Sequence, residues 1–204
     1  MADLDHDPDA IRWVNVAFLT VLPAVAVAGT VWYGVVHGIG WQEPLAALVA
    51  WIFTGLGITA GYHRLFSHRT YTASRAVRFL FAFFGGAAAQ NSVVAWCSDH
   101  RRHHACVDTD KDPYDARRGF FWSHMGWVMR DGYWGHDAYN NVPDLLKDPV
   151  LKHQHEHYLL WAVAANAAVL LVAGWATGLW MGMFLIAVLL RIVVVQHFTF
   201  LINS

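Results

Sequence analysis

The chain has 204 residues, of which 56% are hydrophobic and 14% charged, and its formal net charge is −1. A water-soluble domain carries about a quarter charged residues, so this deficit, gathered into long apolar runs, excludes an ordinary soluble fold. Near-neutral charge excludes nucleic acid as a partner, and two cysteines, Cys97 and Cys106, exclude a disulfide framework.

The chain opens on an acidic stretch, MADLDHDPDAIR, with no cleavable signal pattern after it. A spanning helix needs about 20 mostly apolar residues. Residues 13–36, 45–62, 158–177 and 179–202 meet that need, each with Trp or Tyr near an end, where interfacial anchors belong. Residues 77–97 are apolar enough to cross, but Gln90, Asn91 and Ser92 interrupt them. This stretch reads as interfacial or re-entrant. HRLFSH (63–68) precedes it and HRRHH (100–104) follows it, and a crossing would put the two histidine groups on opposite faces. Of the fourteen Lys and Arg, twelve lie between Arg64 and Lys152. The excess of positive charge in cytoplasmic loops then assigns the N-terminus, both histidine groups and residues 98–157 to the cytoplasm. The expected fold is all-α: an integral membrane protein with four transmembrane helices and a cytoplasmic helical cap, one domain over 1–204. Arg191 falls inside the last run and should face the protein interior.

His100, His103 and His104 have the i, i+3, i+4 spacing of one helix face, so their imidazoles can address one spot. His63 and His68 are five apart, off a common face of a regular α-helix, which puts one of them where the second span ends and the chain bends. Imidazole suits Zn, Cu, Fe and Ni, and two compact histidine groups beside membrane spans point to metal. Asp99, Asp108, Asp110 and Asp112 are placed to accept the second ring N–H of ligating histidines. Cys97 stands three before His100, yet closed zinc sites take four ligands and the cluster has too many histidines for one such site. A redox metal pair fits the surplus. On residues alone, a non-enzymatic zinc- or copper-binding membrane protein stays open. His124, His136, His153, His155, His157 and His197 read as interfacial or head-group histidines rather than ligands.

GITAGYHRLFSHRTY (57–71) resembles the first histidine box, HxxxxH, of membrane fatty-acid desaturases of the stearoyl-CoA (delta-9) type. QNSVVAWCSDHRRHH (90–104), followed by DTDKDP and RRGFFWSHMGW, resembles the second box, HxxHH, with its flanks, and QHFTFLINS (196–204) resembles the segment leading to the next ligand. The resemblance runs from about Gly57 to Ser204. It implies two irons held on histidines, O2 as oxidant, and a cis double bond inserted into a bound acyl chain. The substrate would be fatty acyl-CoA or another acyl thioester or lipid, and the electron donor a cytochrome b5, ferredoxin or rubredoxin. A related di-iron hydroxylase shares the short motifs. Carried over by position, His63, His68, His100, His103 and His104 would be iron ligands, and Asn203 would hold an iron through a water. Gln90, Asn91 and Trp96 would line the acyl site, Asp99 would lie near the thioester head group, and Arg117 and Arg118 near the coenzyme A phosphates.

The sequence departs from the family's pattern at three places. Ser98 stands where the family has Arg before the Asp of its second box, which removes a head-group contact. Phe200 stands where the family has a tryptophan near the kinked chain. The family continues, past the equivalent of Ser204, to a further histidine and a third box, HxxHH; the five histidines of the first two boxes are too few to saturate two irons, so the chain reads as incomplete at that end.

Overall fold

The computed structural model describes residues 10–130 and 139–202, together with the backbone of Asn203. His136 and the side chain of Asn203 therefore lie outside the described residues. Among those described, the chain is all helical, with one isolated β-bridge between Ile11 and Arg130.

In hydrocarbon every backbone polar group must be satisfied within the protein, which favours unbroken helices. Four helices are long and apolar enough to cross a membrane: Trp13–His37, Gln42–Ser67, Tyr158–Thr177 and Trp180–Ile202. The first is α1. The second comprises α2 (Gln42–Leu56) and a π-helical continuation, Gly57–Ser67. The remaining elements are α3 (Arg75–Gly86), α4 (Val93–Cys106), α5 (Phe120–His124), α6 (Pro143–Leu146), α7 (Pro149–Glu156) and α8 (Tyr158–Thr177). The last span is α9 (Trp180–Gly182), a π-helical stretch Met183–Leu190, and α10 (Arg191–Asn203). Gly178 ends α8 in the left-handed region (φ 74°), where its N–H donates to Gly174 O at 2.8 Å, the usual glycine stop.

The last span is the axle. Of its most apolar window 56% is buried, against 11% for α1 and 17% for α8. α1, α2 and α8 all pack on its π-helical stretch. The apolar flanks of α1 and α8, with Val14, Val35, Val172 and Trp175 exposed, are left for lipid. The second span runs past residue 62, through the first histidine group, to Ser67.

Residues 77–97 do not form one helix. α3 ends at Gly86 and α4 begins at Val93, each opened by a serine cap: Ser74 Oγ accepts from Val77 N and Ser92 Oγ from Ala95 N. Between them Ala89 (φ 55°) and Asn91 (φ 85°) are left-handed, and for alanine that conformation costs about 1–2 kcal/mol. The turn persists because its groups are held from outside. Arg191 Nη1 donates to Ala87 O at 2.8 Å, Gln196 Nε2 to Ala89 O at 3.1 Å, and Asn91 N donates to Tyr158 Oη at 3.1 Å. Arg191 is 2% exposed, and its guanidinium also reaches Thr54 Oγ1 and Asn166 Oδ1. It faces the protein interior, capping the carbonyl end of α3, where the helix dipole is negative.

α3 lies directly on the π-helical segment because glycine allows it. A Cβ on Gly57 would meet the Gly85 amide nitrogen and lie 2.8 Å from the Phe84 carbonyl carbon. Backbone cannot yield as a side-chain tip can. Gly57→Ala should therefore lower stability by about 1–3 kcal/mol, whereas Gly55→Ala, with nothing within 4 Å, should be neutral or slightly stabilising. Thermal unfolding of the two variants in one detergent checks the contrast.

Candidate metal centre and adjoining cavity

A π-helix closes i→i+5 hydrogen bonds, so residues five apart come onto one side. Gly57–Ser67 is such a helix, and His68 N donates to His63 O at 3.0 Å. His63 and His68 consequently share a face, with their Nε2 atoms 3.1 Å apart. His68 stands one residue past the helix, at the bend that closes the second span, as expected, and the wider π turn, which the spacing did not foretell, brings His63 onto the same side.

α4 brings the second group. His100 Nε2 lies 3.0 Å from His68 Nε2 and 3.1 Å from His104 Nε2. The ligand atoms of His63, His68, His100 and His104 all fall within 4.8 Å of one another. A neutral ring nitrogen can donate one hydrogen or offer one lone pair, so His68 and His100, each with two such neighbours, cannot satisfy both by hydrogen bonds. The spacing fits a cation instead. A metal–imidazole bond of about 2.1 Å separates neighbouring ligands on one ion by about 3.0–3.4 Å. Burial first, then the imidazoles of His63, His104, His68 and His103, push His100 down to about 3. Burial, then His68 and His103, also lower His104. Both shifts favour the neutral form that metal ligation requires.

His103 does not join this group, contrary to the expectation that all three α4 histidines address one spot. Its Nδ1 donates to Asp112 Oδ1 at 2.8 Å and its ring lies 4.7 Å from that of Tyr114. Asp112, its side chain 1% exposed, also accepts from the backbone N–H of Asp108 and Tyr114. That arrangement fixes the tautomer and leaves His103 Nε2 with its lone pair outward. Of the four acids singled out, Asp112 alone among the described residues bonds a box histidine in this way. Asp110 is exposed and paired with Arg117. Cys97 is turned away, donating to Tyr62 O.

The residue that joins the two boxes was not singled out in the sequence. Arg101 donates to Phe66 O (2.6 Å), Ser67 O (3.1 Å) and Asn141 O (2.9 Å), and forks onto Asp144 at 2.8 and 3.0 Å. All five of its N–H groups are used, so it fastens α4 to the C-terminal carbonyls of the π-helical segment. Positive charge between histidines gave no hint of this; only the fold supplies the carbonyls.

A cavity of about 550 Å³ adjoins the centre. Gln90, Asn91, Trp96 and Asp99 line it, with α1 and α8 on its sides and Thr199 and Phe200 of α10 beneath. Trp96 is the partition: its indole stacks on the His100 ring at 4.9 Å and 27°. Gln90 is held by Thr199 Oγ1 at 3.0 Å. The Asp99 carboxyl is raised well above the usual carboxylate range by burial, opposed by Arg102 and Arg12. Arg117 and Arg118 are not cavity residues. Arg117 pairs with Asp115 and Asp110, and Arg118 stacks on Trp122 at 3.2 Å. The guanidinium-bearing residues at the cavity are Arg12 and Arg130. Among the described residues, His124, His153, His155 and His197 have other partners: His124 meets His197 (3.0 Å), His155 meets Ser92 (2.7 Å), and His153 accepts from Trp161 (3.0 Å).

Asp112→Asn should weaken metal binding by about 10- to 100-fold without unfolding the protein, while His100→Ala should abolish it. Iron and zinc titration of protein purified without metal, with bound metal counted after desalting, checks both.

Comparison with known proteins identifies the family. The fatty acid desaturase family profile matches residues 39–203. The chain is 36% identical to "Acyl-CoA desaturase 1" of Saccharomyces cerevisiae over 95% of its own length and 38% of that protein's. It is 37% identical to "Stearoyl-CoA desaturase 5" of Bos taurus, covering 98% of this chain and 60% of the relative. It is 33% identical to "sn-1 stearoyl-lipid 9-desaturase" of Anabaena variabilis, covering 95% and 68%. The chain thus spans about two fifths of the yeast relative's length.

Proposed function

Because the chain belongs to the fatty acid desaturase family, we propose that it serves the oxygen-dependent desaturation of a fatty acyl chain, at the delta-9 position, on a di-iron centre. The observation that carries the reading is the Trp96 partition. One face of the indole lies on His100 and the residue lines the cavity, so a chain in the cavity runs one ring away from the four-histidine group.

Each chain residue then has a definable task. His63, His68, His100 and His104 would hold one ion, and His103, oriented by Asp112, would offer the first nitrogen to a second. Asn203 would add a water-mediated contact. Bound iron supplies oxygen activation, the only route to hydrogen removal from an unactivated methylene. The protein's share is position: the apolar walls hold the chain, and Gln90, fixed by Thr199, sets its path past Trp96. Asn91 and Asp99 would lie toward the head-group end. The balance is two hydrogens from the chain, two electrons from a donor, two protons and O2, giving an alkene and two waters. A cytochrome b5, ferredoxin or rubredoxin would deliver the electrons to the basic cap side, which the charge distribution assigns to the cytoplasm. Arg117 and Arg118, on that same side, would meet the phosphates of an acyl-CoA.

The test is product analysis on the protein in lipid membranes with iron, a reductant system, O2 and stearoyl thioester or stearoyl lipid. A cis-9 alkene that needs O2 and disappears in His100→Ala supports the reading. A hydroxylated product assigns the related hydroxylase chemistry instead. Iron-free protein that holds only zinc, with no product, overturns both.

A further inference from the structure

The cavity has an opening that the reaction does not explain. Two of its lining residues are also among the most exposed large hydrophobic residues described: Val14 at 82% and Leu159 at 74%. A side chain that both lines a cavity and is open to the surroundings stands at its mouth. Val14 is the second residue of α1 and Leu159 the second of α8. The mouth therefore lies between the cap-side ends of the two peripheral spans, the two with the least buried windows.

The mouth is amphipathic in a fixed direction. Along α1, Phe18 lies about 6 Å deeper than Val14 at 1.5 Å per residue, and it lines the cavity with Leu19. Across from them stands Ala162 of α8. Toward the cap the lining turns polar, with Arg12, Asn15 and Arg130. Apolar walls at the depth of acyl chains, beneath cationic and amide groups at the depth of head groups, match one leaflet of a bilayer. An acyl chain drawn up through water would expose every methylene on the way. A chain moving sideways between two lipid-facing helices exposes none.

We infer that the acyl chain is loaded sideways from the surrounding leaflet through the gap between α1 and α8, passing between Val14 and Leu159, with its head group held under Arg12 and Arg130. This rests on the reading of the cavity as an acyl site. The shared chemistry is a long acyl chain on a polar head already resident in the membrane. A glycerolipid ester and a membrane-partitioned thioester both meet it.

The test uses the protein in nanodiscs and two probes carrying a diazirine near the middle of a stearoyl chain: a phosphatidylcholine built into the disc, and a stearoyl-CoA added from solution. Cross-linked residues are mapped by mass spectrometry. Marking of Trp96 or Thr199, lowered at least 5-fold in both Leu159→Trp and Val14→Trp while marking of lipid-facing Trp175 is unchanged, supports the lateral path. The unchanged Trp175 signal shows that the variants remain folded and embedded. If the phosphatidylcholine probe behaves so, the source is a glycerolipid. If the thioester alone does, the source is a thioester lying in the leaflet. Marking of Trp96 by added thioester at the same rate in wild type and both variants overturns the inference, because the chain then enters from the cap. Absence of marking inside the cavity by either probe overturns it as well. Lateral marking without any double bond formed leaves the path standing and removes the desaturase reading.

Discussion

The turn between α3 and α4 is the constraint on which the rest depends. It reverses the chain against the bundle, so the open carbonyls of one helix end, buried at Ala87 and Ala88, and the open amides of the next need partners from other elements. Side chains from the last span take the carbonyl side: Arg191 on Ala87 and Gln196 on Ala89. Side chains from α7 and α8 take the amide side: Gln154 Oε1 accepts from Val93 N at 2.9 Å, and Tyr158 accepts from Asn91 N. Because α4 starts at this turn, these four residues set the height and heading of His100 and His104. Among the described residues no carboxylate lies against Arg191; its acceptors are neutral, and the α3 dipole offsets part of its charge. Replacing it with an apolar residue would take the donor from Asn166 Oδ1 and leave Ala87 O only the 3.3 Å bond from Asn166 Nδ2.

The second support is the change of helical pitch. In α2 the hydrogen bonds are α-type and the span is ordinary. From Gly57 the wider π turn takes over, and this is also where α3 approaches most closely, against Gly57 and Gly61. A five-residue spacing that an α-helix would splay becomes a pair of ligands 3.1 Å apart. Arg101 then fastens the end of that helix to α4. The four-histidine group is thus assembled from two helices and one guanidinium, the kind of support that a site needing sub-ångström placement requires.

The architecture was legible to the extent that it follows from apolar length and charge asymmetry. The four spans and the interruption at Gln90–Ser92 are in the pattern; the extension of the second span to Ser67 is not, because hydropathy falls at the histidines while the backbone stays helical. At the site, the i+4 pair His100 and His104 was legible because α4 is a regular helix. His103 stands apart from that pair because an acid nine residues on claims its Nδ1. The bond from Asp112 to His103 was among those expected; Asp108 and Asp110 were not separable from it, since a loop's fold decides which carboxylate turns inward. Arg101, Asp144 and Asn141 carried no signal, because Arg101 binds mostly backbone carbonyls and its two partners lie 40 or more residues away in sequence.

The head-group end shows how a family pattern and a cavity can point to different cations. Ser98 is fully buried and donates to Asn141 Oδ1 at 2.7 Å, so its position faces the cap interior. Arg117 and Arg118 are engaged with Asp115, Asp110 and Trp122. The cations at the mouth are brought there by the start of α1, where Arg12 N donates to Met129 O at 2.9 Å and Asn15 Nδ2 to Val128 O at 2.7 Å. These bonds make the polar roof and the α1 wall one body. The bond from Asn91 N to Tyr158 Oη makes the α8 wall one body with the buried turn. The mouth is the seam between the two. Its width depends on how α1 and α8 each sit against the last span, so on the proposed lateral path lipid packing around those helices would bear on access to the four-histidine group.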